Sequence, residues 1–380
     1  MIKKTVTLIC LLGLIASTSI DWGFFGHRNI NRYAVFTLPQ EMLGLFKSNI
    51  DYLTFHAIDP DKRRYAIKNE ATRHYIDIDN WEVLPFDTIP RDFEEAIFKY
   101  GLYRAFASKN DTLQVPLLDS LLKTDTVANR VVFDDRYSNE IDIPFDSITN
   151  SEVRKLLSEN NIEFIRFDNQ LAAYGVLPYF LEEFYDRLVY VFEKGETNKI
   201  LKIAADIGHY IADGHVPLHT TLNYNGQLTG QDGIHGFWES RLPELFAEEE
   251  YDFLSGKAEY IEDKRAFFWD MISDSHAHVP DVLGKEMELR QSFPSEQQLC
   301  FDDRGDYTSY VQCPEFSKAY HEAMEGMVEE RFRASITAVG SIWYSAWVDA
   351  GQPPLDGEDK LQVVQEEPDR TILNSNHHQE

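Results

Sequence analysis

Cysteine is scarce in this chain. Three occur in 380 residues, at positions 10, 300 and 313, which rules out a small disulfide-dense scaffold and leaves too few thiolates for a cysteine-rich metal site. Long hydrophobic runs are also missing. The most apolar stretch, Thr5 to Ala16, is too short to cross a bilayer as a helix. Positive charge is in deficit, with 36 Lys and Arg against 64 Asp and Glu and a net charge of -28. Such a surface repels polyanions at long range, so a nucleic acid or an anionic lipid would have to be held by local cations or metal ions. No internal repeat is present.

The first residues, MIKKTVTLICLLGLIASTSI, combine a basic start, a short apolar run and a small-residue end. They are expected to form a signal peptide over residues 1–21, which makes the mature protein secreted or periplasmic, without a transmembrane segment. Loss of two lysines and one aspartate with that leader takes the net charge to -29. Cys10 leaves with it, and in an oxidising compartment Cys300 and Cys313 are expected to pair, closing the loop CFDDRGDYTSYVQC.

What is present is helical periodicity. Apolar residues recur near i, i+3, i+4 and i+7 from Trp22 to about Val348, and the 43% hydrophobic content supplies a sizeable core. The fold class expected is all-α, a multi-helix domain over residues 22–350. Candidate helices are His27–Phe36, Gln40–Phe55, Arg91–Ala107, Ser151–Ser158, Phe167–Lys194, Thr197–Asp213, Gly236–Phe246, Tyr260–Ser273 and Pro314–Val348. Residues 108–162 alternate in places and read as an insertion holding a short hairpin or an irregular excursion. Residues 351–380 are polar and lack a core stripe, so a disordered tail is expected there, with His377 and His378 solvated.

Histidine carries the chemical signal. In GHYIADGHVPLHT, His209 and Asp213 are four apart and share a helix face, and His219 follows where Gly214 and Pro217 end the helix. GIHGFWESR repeats the i, i+4 pairing with His235 and Glu239. IDPDKRRYAIKNEATRHYIDID offers Asp59, Asp61, His74 and Asp77, and WGFFGH offers His27. Any one pair is weak evidence, because a lone helical histidine is usually structural. Together, five histidines with Asp59, Asp213 and Glu239 make a nitrogen and oxygen donor set that suits zinc. His276 and His278, two apart, point to opposite sides of a helix and are read as loop or supporting residues.

WGFFGH, the Asp59–His74 pair followed by YID, HYIADGHVPLH and HGFWE resemble, in that order, the zinc-dependent phospholipase C and single-strand nuclease superfamily. The H-x3-D-x5-H element together with W-G-x3-H is the specific part of this resemblance. It implies an all-α phosphodiesterase with up to three zinc ions. One would be held by Asp59, His74, His209 and Asp213, and a second by His219, His235 and Glu239. A third would be held by His27, Asp213 and the amine and carbonyl of Trp22, provided cleavage falls just before Trp22 rather than after Ala16 or Ser19. His215 matches no ligand position and is read as support.

The same resemblance implies a water acidified by zinc, oriented by Asp59, with cationic help from Lys62 or Arg63. Tyr75 and Asp77 would stack and read a base of a single-stranded nucleic acid. Two departures bear on the substrate: Glu239 stands where the nuclease branch usually carries aspartate, and Ser240 where it often carries asparagine. A nuclease-like hydrolase is the expectation, with a phospholipase C acting on zwitterionic phospholipid as the alternative. A non-catalytic secreted zinc protein is the reading from another class, though the triad His219, His235 and Glu239 leaves a coordination position open.

Overall fold

The computed structural model describes residues 23–108, 111–303, 308–355 and 361. The expected leader, Trp22, His377 and His378 lie outside the described residues. The chain is largely helical, 61% helix against 9% strand, and no helix among the described residues is long and apolar enough to cross a membrane.

At the centre runs the helix Thr197–Gly214, whose residues from Ala204 to Gly214 are all buried. It packs on Leu177–Lys194, Met327–Asp349 and Ile50–His56, with the first helix, Gly23–Ala34, lying across it. This buried half has no solvent face, so the polar groups inside it must be paired or serve a site. Asn31 of the first helix is one fixing point, donating to the Ala205 carbonyl at 3.0 Å. Trp343 is another, its indole donating to the Ala204 carbonyl at 3.0 Å.

Several expected helices are divided. Gln40–Phe55 breaks at Asn49 into Gln40–Ser48 and Ile50–His56. Pro314–Val348 breaks at Gly326, whose φ of 87° takes the backbone out of the helix between Pro314–Ala323 and Met327–Asp349. Arg91–Ala107 and the start of Phe167–Lys194 are corrected more deeply. Residues Leu102–Ser108 and Phe164–Asp168 are strands, paired antiparallel with Tyr103 opposite Phe167 and Phe106 opposite Phe164. With Asp111–Leu113 on one edge and Glu140–Ile143 on the other, they form a four-stranded sheet.

The excursion at 108–162 is therefore a small α/β layer, larger than a hairpin, that borrows a strand from each flank. Its inner face, Tyr103, Ala105, Ile141, Ile143, Ile165 and Phe167, is buried against the helices. A second sheet, Leu299–Asp303 with Thr308–Gln312, is a two-stranded hairpin. Cys300 and Cys313 are joined at its base, with Cα atoms 5.0 Å apart. The start of the expected tail is docked: Pro353 accepts from the Trp347 indole at 2.8 Å, and the Leu361 amide donates to Asn49 Oδ1 at 2.9 Å.

Candidate metal centre

The central helix ends where Pro217 cannot continue it, and its last turn carries His209 and Asp213 on one face. His209 Nε2 lies 3.3 Å from Asp213 Oδ2. Three other segments converge on this turn. From the first helix, His27 stacks on the His209 ring at 3.8 Å and sets its Nε2 3.4 Å from Asp213 Oδ1. From the turn after Ala71–Arg73, His74 brings Nδ1 within 2.9 Å of Asp213 Oδ2 and 3.1 Å of His209 Nε2. The fourth segment is Gly236–Arg241, a π-helical turn, where Glu239 Oε2 lies 2.8 Å from His235 Nε2 and 3.5 Å from His219 Nε2. Wide turns of this kind recur at functional sites because they re-aim a side chain.

Backbone carbonyls fix the rings. His209 Nδ1 donates to Ala57 O at 2.9 Å, His219 Nδ1 to His74 O at 2.7 Å, and His235 Nδ1 to Tyr224 O at 3.2 Å. Each such bond commits the proton to Nδ1 and turns the Nε2 lone pair toward the cluster, the arrangement a metal ligand needs. His219 and His74 are held together further by Ile76 N donating to His219 O at 3.0 Å. Asp79 extends the seam, accepting from Thr221 Oγ1 at 2.6 Å and Leu222 N at 2.9 Å.

Four overlapping triads result: His27, Asp61 and His209; His74, His209 and Asp213; His219, His235 and Glu239; His27, Asp213 and Glu239. Within each, the ligand atoms lie within 4.8 Å of one another. Bonds of about 2.0 to 2.1 Å at tetrahedral angles set ligand atoms about 3.3 Å apart, close to most spacings here. The donor set is imidazole and carboxylate without thiolate, which fits zinc. The buried His74 Nε2 has no hydrogen-bond partner, consistent with Nδ1 as its working atom. Asp213 divides its oxygens, Oδ1 toward His27 and His219, Oδ2 toward His74 and His209.

The electrostatics follow from crowding. Burial pushes the Asp213 carboxyl up, but His209 and His219 outweigh it and hold it well below the usual carboxylate range. Glu239 is likewise held well below its range, burial being outweighed by His219 and His235. Burial alone would lower His209, yet Asp213 and Asp61 raise it to about 9. His27 goes the other way, lowered to about 4 by burial and by His209.

Comparison with protein-family models, characterised proteins and solved structures gives no match.

Three sequence expectations need correcting at the first triad. Asp59 is turned to His56 Nδ1 at 2.6 Å and Lys62 Nζ at 3.2 Å. Asp61, two residues on, reaches the cluster, with Oδ1 3.6 Å from His209 Nε2 and 3.8 Å from His74 Nδ1. Residues 59 and 61 sit on the short helix Asp59–Arg63, where two positions rotate a side chain by roughly 200°. Lys62 is 46% exposed beside Asp59. Arg63 is spent on Glu70, Asp206 and Tyr210. Arg64, missed in the sequence, is the cation at the cluster, its Nη1 3.2 Å from Asp61 Oδ1. An i, i+3 reading from Asp61 would have found it.

Tyr75 is half-buried, with its hydroxyl 3.5 Å from Ala173 O, and burial with Asp77 pushes that hydroxyl up to about 12. Asp77 is buried, and burial together with Asp79 pushes its carboxyl up to about 7. His215 caps the central helix and donates Nδ1 back to Ile211 O at 2.8 Å. His276 sits within Lys264–Ala277 and donates Nδ1 to Thr220 O at 2.9 Å, behind His219, while His278 caps that helix.

Proposed function

We propose that this chain is a secreted, zinc-dependent phosphodiester hydrolase of the phospholipase C and single-strand nuclease type. One observation carries the reading. Four segments far apart in sequence bring His27, Asp61, His74, His209, Asp213, His219, His235 and Glu239 into overlapping donor triads. Structural zinc sites close with four tight ligands, commonly cysteines, whereas triads that share carboxylates suit neighbouring metals with open positions.

Bound zinc would supply Lewis acidity, lowering the pKa of water and offsetting charge on phosphoryl oxygens. The chain's own groups do the rest. Asp61, His74, His209 and Asp213 would hold one ion and His219, His235 and Glu239 a second, with His27, Asp213 and Glu239 offering a third set. Arg64, beside Asp61 and 47% exposed, adds a cation for a phosphoryl oxygen. Tyr75 offers a half-buried ring for stacking, and Asp77 a carboxyl raised by burial and by Asp79 for a polar contact to a base edge. A ring and a carboxyl side by side suit a base better than a lipid headgroup, so single-stranded DNA or RNA is the substrate class we assign.

The test is a three-way assay of single-stranded DNA, RNA and phosphatidylcholine with zinc-loaded protein, alongside metal analysis. Two or three zinc ions per chain and cleavage of the single strand are expected, with activity lost in His209→Ala. Turnover of phosphatidylcholine alone would reassign the substrate, and zinc binding without turnover would make the protein a metal carrier.

A further inference from the structure

The wide turn that carries Glu239 does not hold itself. Gly236–Arg241 is a π turn that runs on into the helix Leu242–Glu250. Pro243, four residues after Glu239, gives the local reason: in a regular helix its ring would clash with the Glu239 carbonyl, and it brings no N–H to bond there. Turns of this kind are rare. The widened backbone leaves the direction of Glu239 to whatever packs on either side of it.

Two contacts from outside the turn bracket Glu239. Two residues before it, Phe237 stacks on Phe316 at 5.5 Å and lies 4.7 Å from Tyr320, both on the helix Pro314–Ala323. Two residues after it, Arg241 reaches the hairpin of Leu299–Asp303 and Thr308–Gln312. Its Nη1 lies 2.8 Å from Asp302 Oδ2 on one strand, and its Nε donates to the Gln312 carbonyl at 3.3 Å on the other. Arg241 also pairs along its own helix with Glu244 at 3.4 Å. This guanidinium is buried, so its acceptors must stay in place for it to remain there.

One covalent bond sets where the two hairpin acceptors stand. Cys300 is two residues before Asp302 and Cys313 directly follows Gln312, so the disulfide ties together the strands that Arg241 bridges. A two-stranded hairpin is marginal on its own, and without the clip the acceptors would drift apart. Cys313 is also buried in one apolar cluster with Phe237, Phe316 and Tyr320. Both contacts that bracket Glu239 therefore run back to the same pair of cysteines.

We propose that Arg241 is a positioning residue for Glu239 and that the disulfide-clipped hairpin is the brace through which it acts. The disulfide then governs metal affinity at the two sets that use Glu239, which are His219, His235 and Glu239, and His27, Asp213 and Glu239, without touching either. Asp61, His74, His209 and Asp213 have no member on this turn, so the ion they hold is independent of the brace. Because such a bond persists in oxidising surroundings, the chain would load fully with metal only there. The coupling rests on the metal reading and not on the identity of the substrate.

Three full-length variants test it. Arg241→Lys keeps the charge and loses the fork that spans two strands. Asp302→Ala removes a partner that is 34% exposed and leaves the core intact. Cys300→Ala combined with Cys313→Ala removes the clip without creating a thiol. Each should weaken zinc by about tenfold in chelator competition. Anomalous diffraction at the zinc edge should show occupancy falling beside His219 and His235 and holding beside His74 and His209. In the metal-free chain, amide exchange across residues 236–241 should quicken. Lower stability in urea with zinc affinity unchanged would make the disulfide a staple alone and overturn the coupling, as would an equal loss from both sets. A wild-type chain that binds zinc in these sets and cleaves no phosphodiester would sink the proposed function and leave the brace standing. One that binds no zinc would overturn both.

Discussion

Asp59 and Asp61, two residues apart on one short helix, face different partners: Asp59 Oδ2 meets His56 Nδ1 at 2.6 Å, and Asp61 Oδ1 lies 3.6 Å from His209 Nε2. Both are acidic, and both precede the same run of cations. Their roles separate because the helix, and not the sequence count, decides which carboxylate enters the cluster.

This division predicts opposite outcomes for two isosteric changes. Losing an outer-shell partner of a metal ligand costs about 10- to 100-fold in affinity, and a direct ligand costs at least as much. Asp61→Asn should weaken zinc binding by at least about tenfold in chelator competition, whereas Asp59→Asn should change it less than about threefold. A larger loss from Asp59→Asn would return that residue to the ligand set.

How much of this was legible from residues alone follows the range of each signal. The i, i+4 pairs His209–Asp213 and His235–Glu239 were readable because helical spacing fixes them locally. The central helix was readable because its apolar residues Ile200, Leu201, Ala204, Ala205, Ile207, Ile211 and Ala212 recur at helical spacing. The choice of Asp61 over Asp59 was not, since it depends on where a five-residue helix begins. The sheet hid for a related reason. Leu102–Ser108 and Phe164–Asp168 are 64 residues apart at the Tyr103–Phe167 pair and 58 apart at Phe106–Phe164, and each continues the apolar pattern of an adjoining helix. Only their pairing makes them strands. Arg64 was passed over because Lys62 and Arg63 stand closer to Asp59 in sequence.

Protonation gives the second prediction. His209 has its ordinary pKa of 6.5 raised to about 9, burial being outweighed by Asp213 and Asp61. In the metal-free chain at pH 7 it therefore carries a proton on the nitrogen that must bind the metal. Binding has to expel that proton. Zinc affinity should rise with pH from 6.5 to about 9 and flatten above it. Calorimetry in buffers of different ionisation enthalpy should register about one proton released per chain at pH 7.5 from this residue. Zero release, or affinity that falls as pH rises over this range, would contradict the assignment of His209 Nε2 as a ligand.

The same His209 depends on the residue before it. At Gly208 a Cβ would overlap Asn31 Oδ1 and crowd Asn31 Cγ, and Asn31 is bonded to Ala205 O at 3.0 Å and Leu53 O at 3.3 Å. Replacing a mid-helix glycine by alanine normally gains up to about 1 kcal/mol in helix propensity. Forcing a methyl into a packed core costs about 1 to 3 kcal/mol, so the clash should win. Gly208→Ala is expected to lower stability in urea by about 1 to 2 kcal/mol and to push the first helix, with His27, away from His209. Zinc affinity should fall with it, because His27 belongs to two of the triads. Gly284→Ala is the control: its Cβ meets nothing within 4 Å, so the propensity gain stands alone and stability should rise slightly with zinc affinity unchanged. Equal responses from the two variants would mean that close approach of the helices at Gly208 does not set the position of His27.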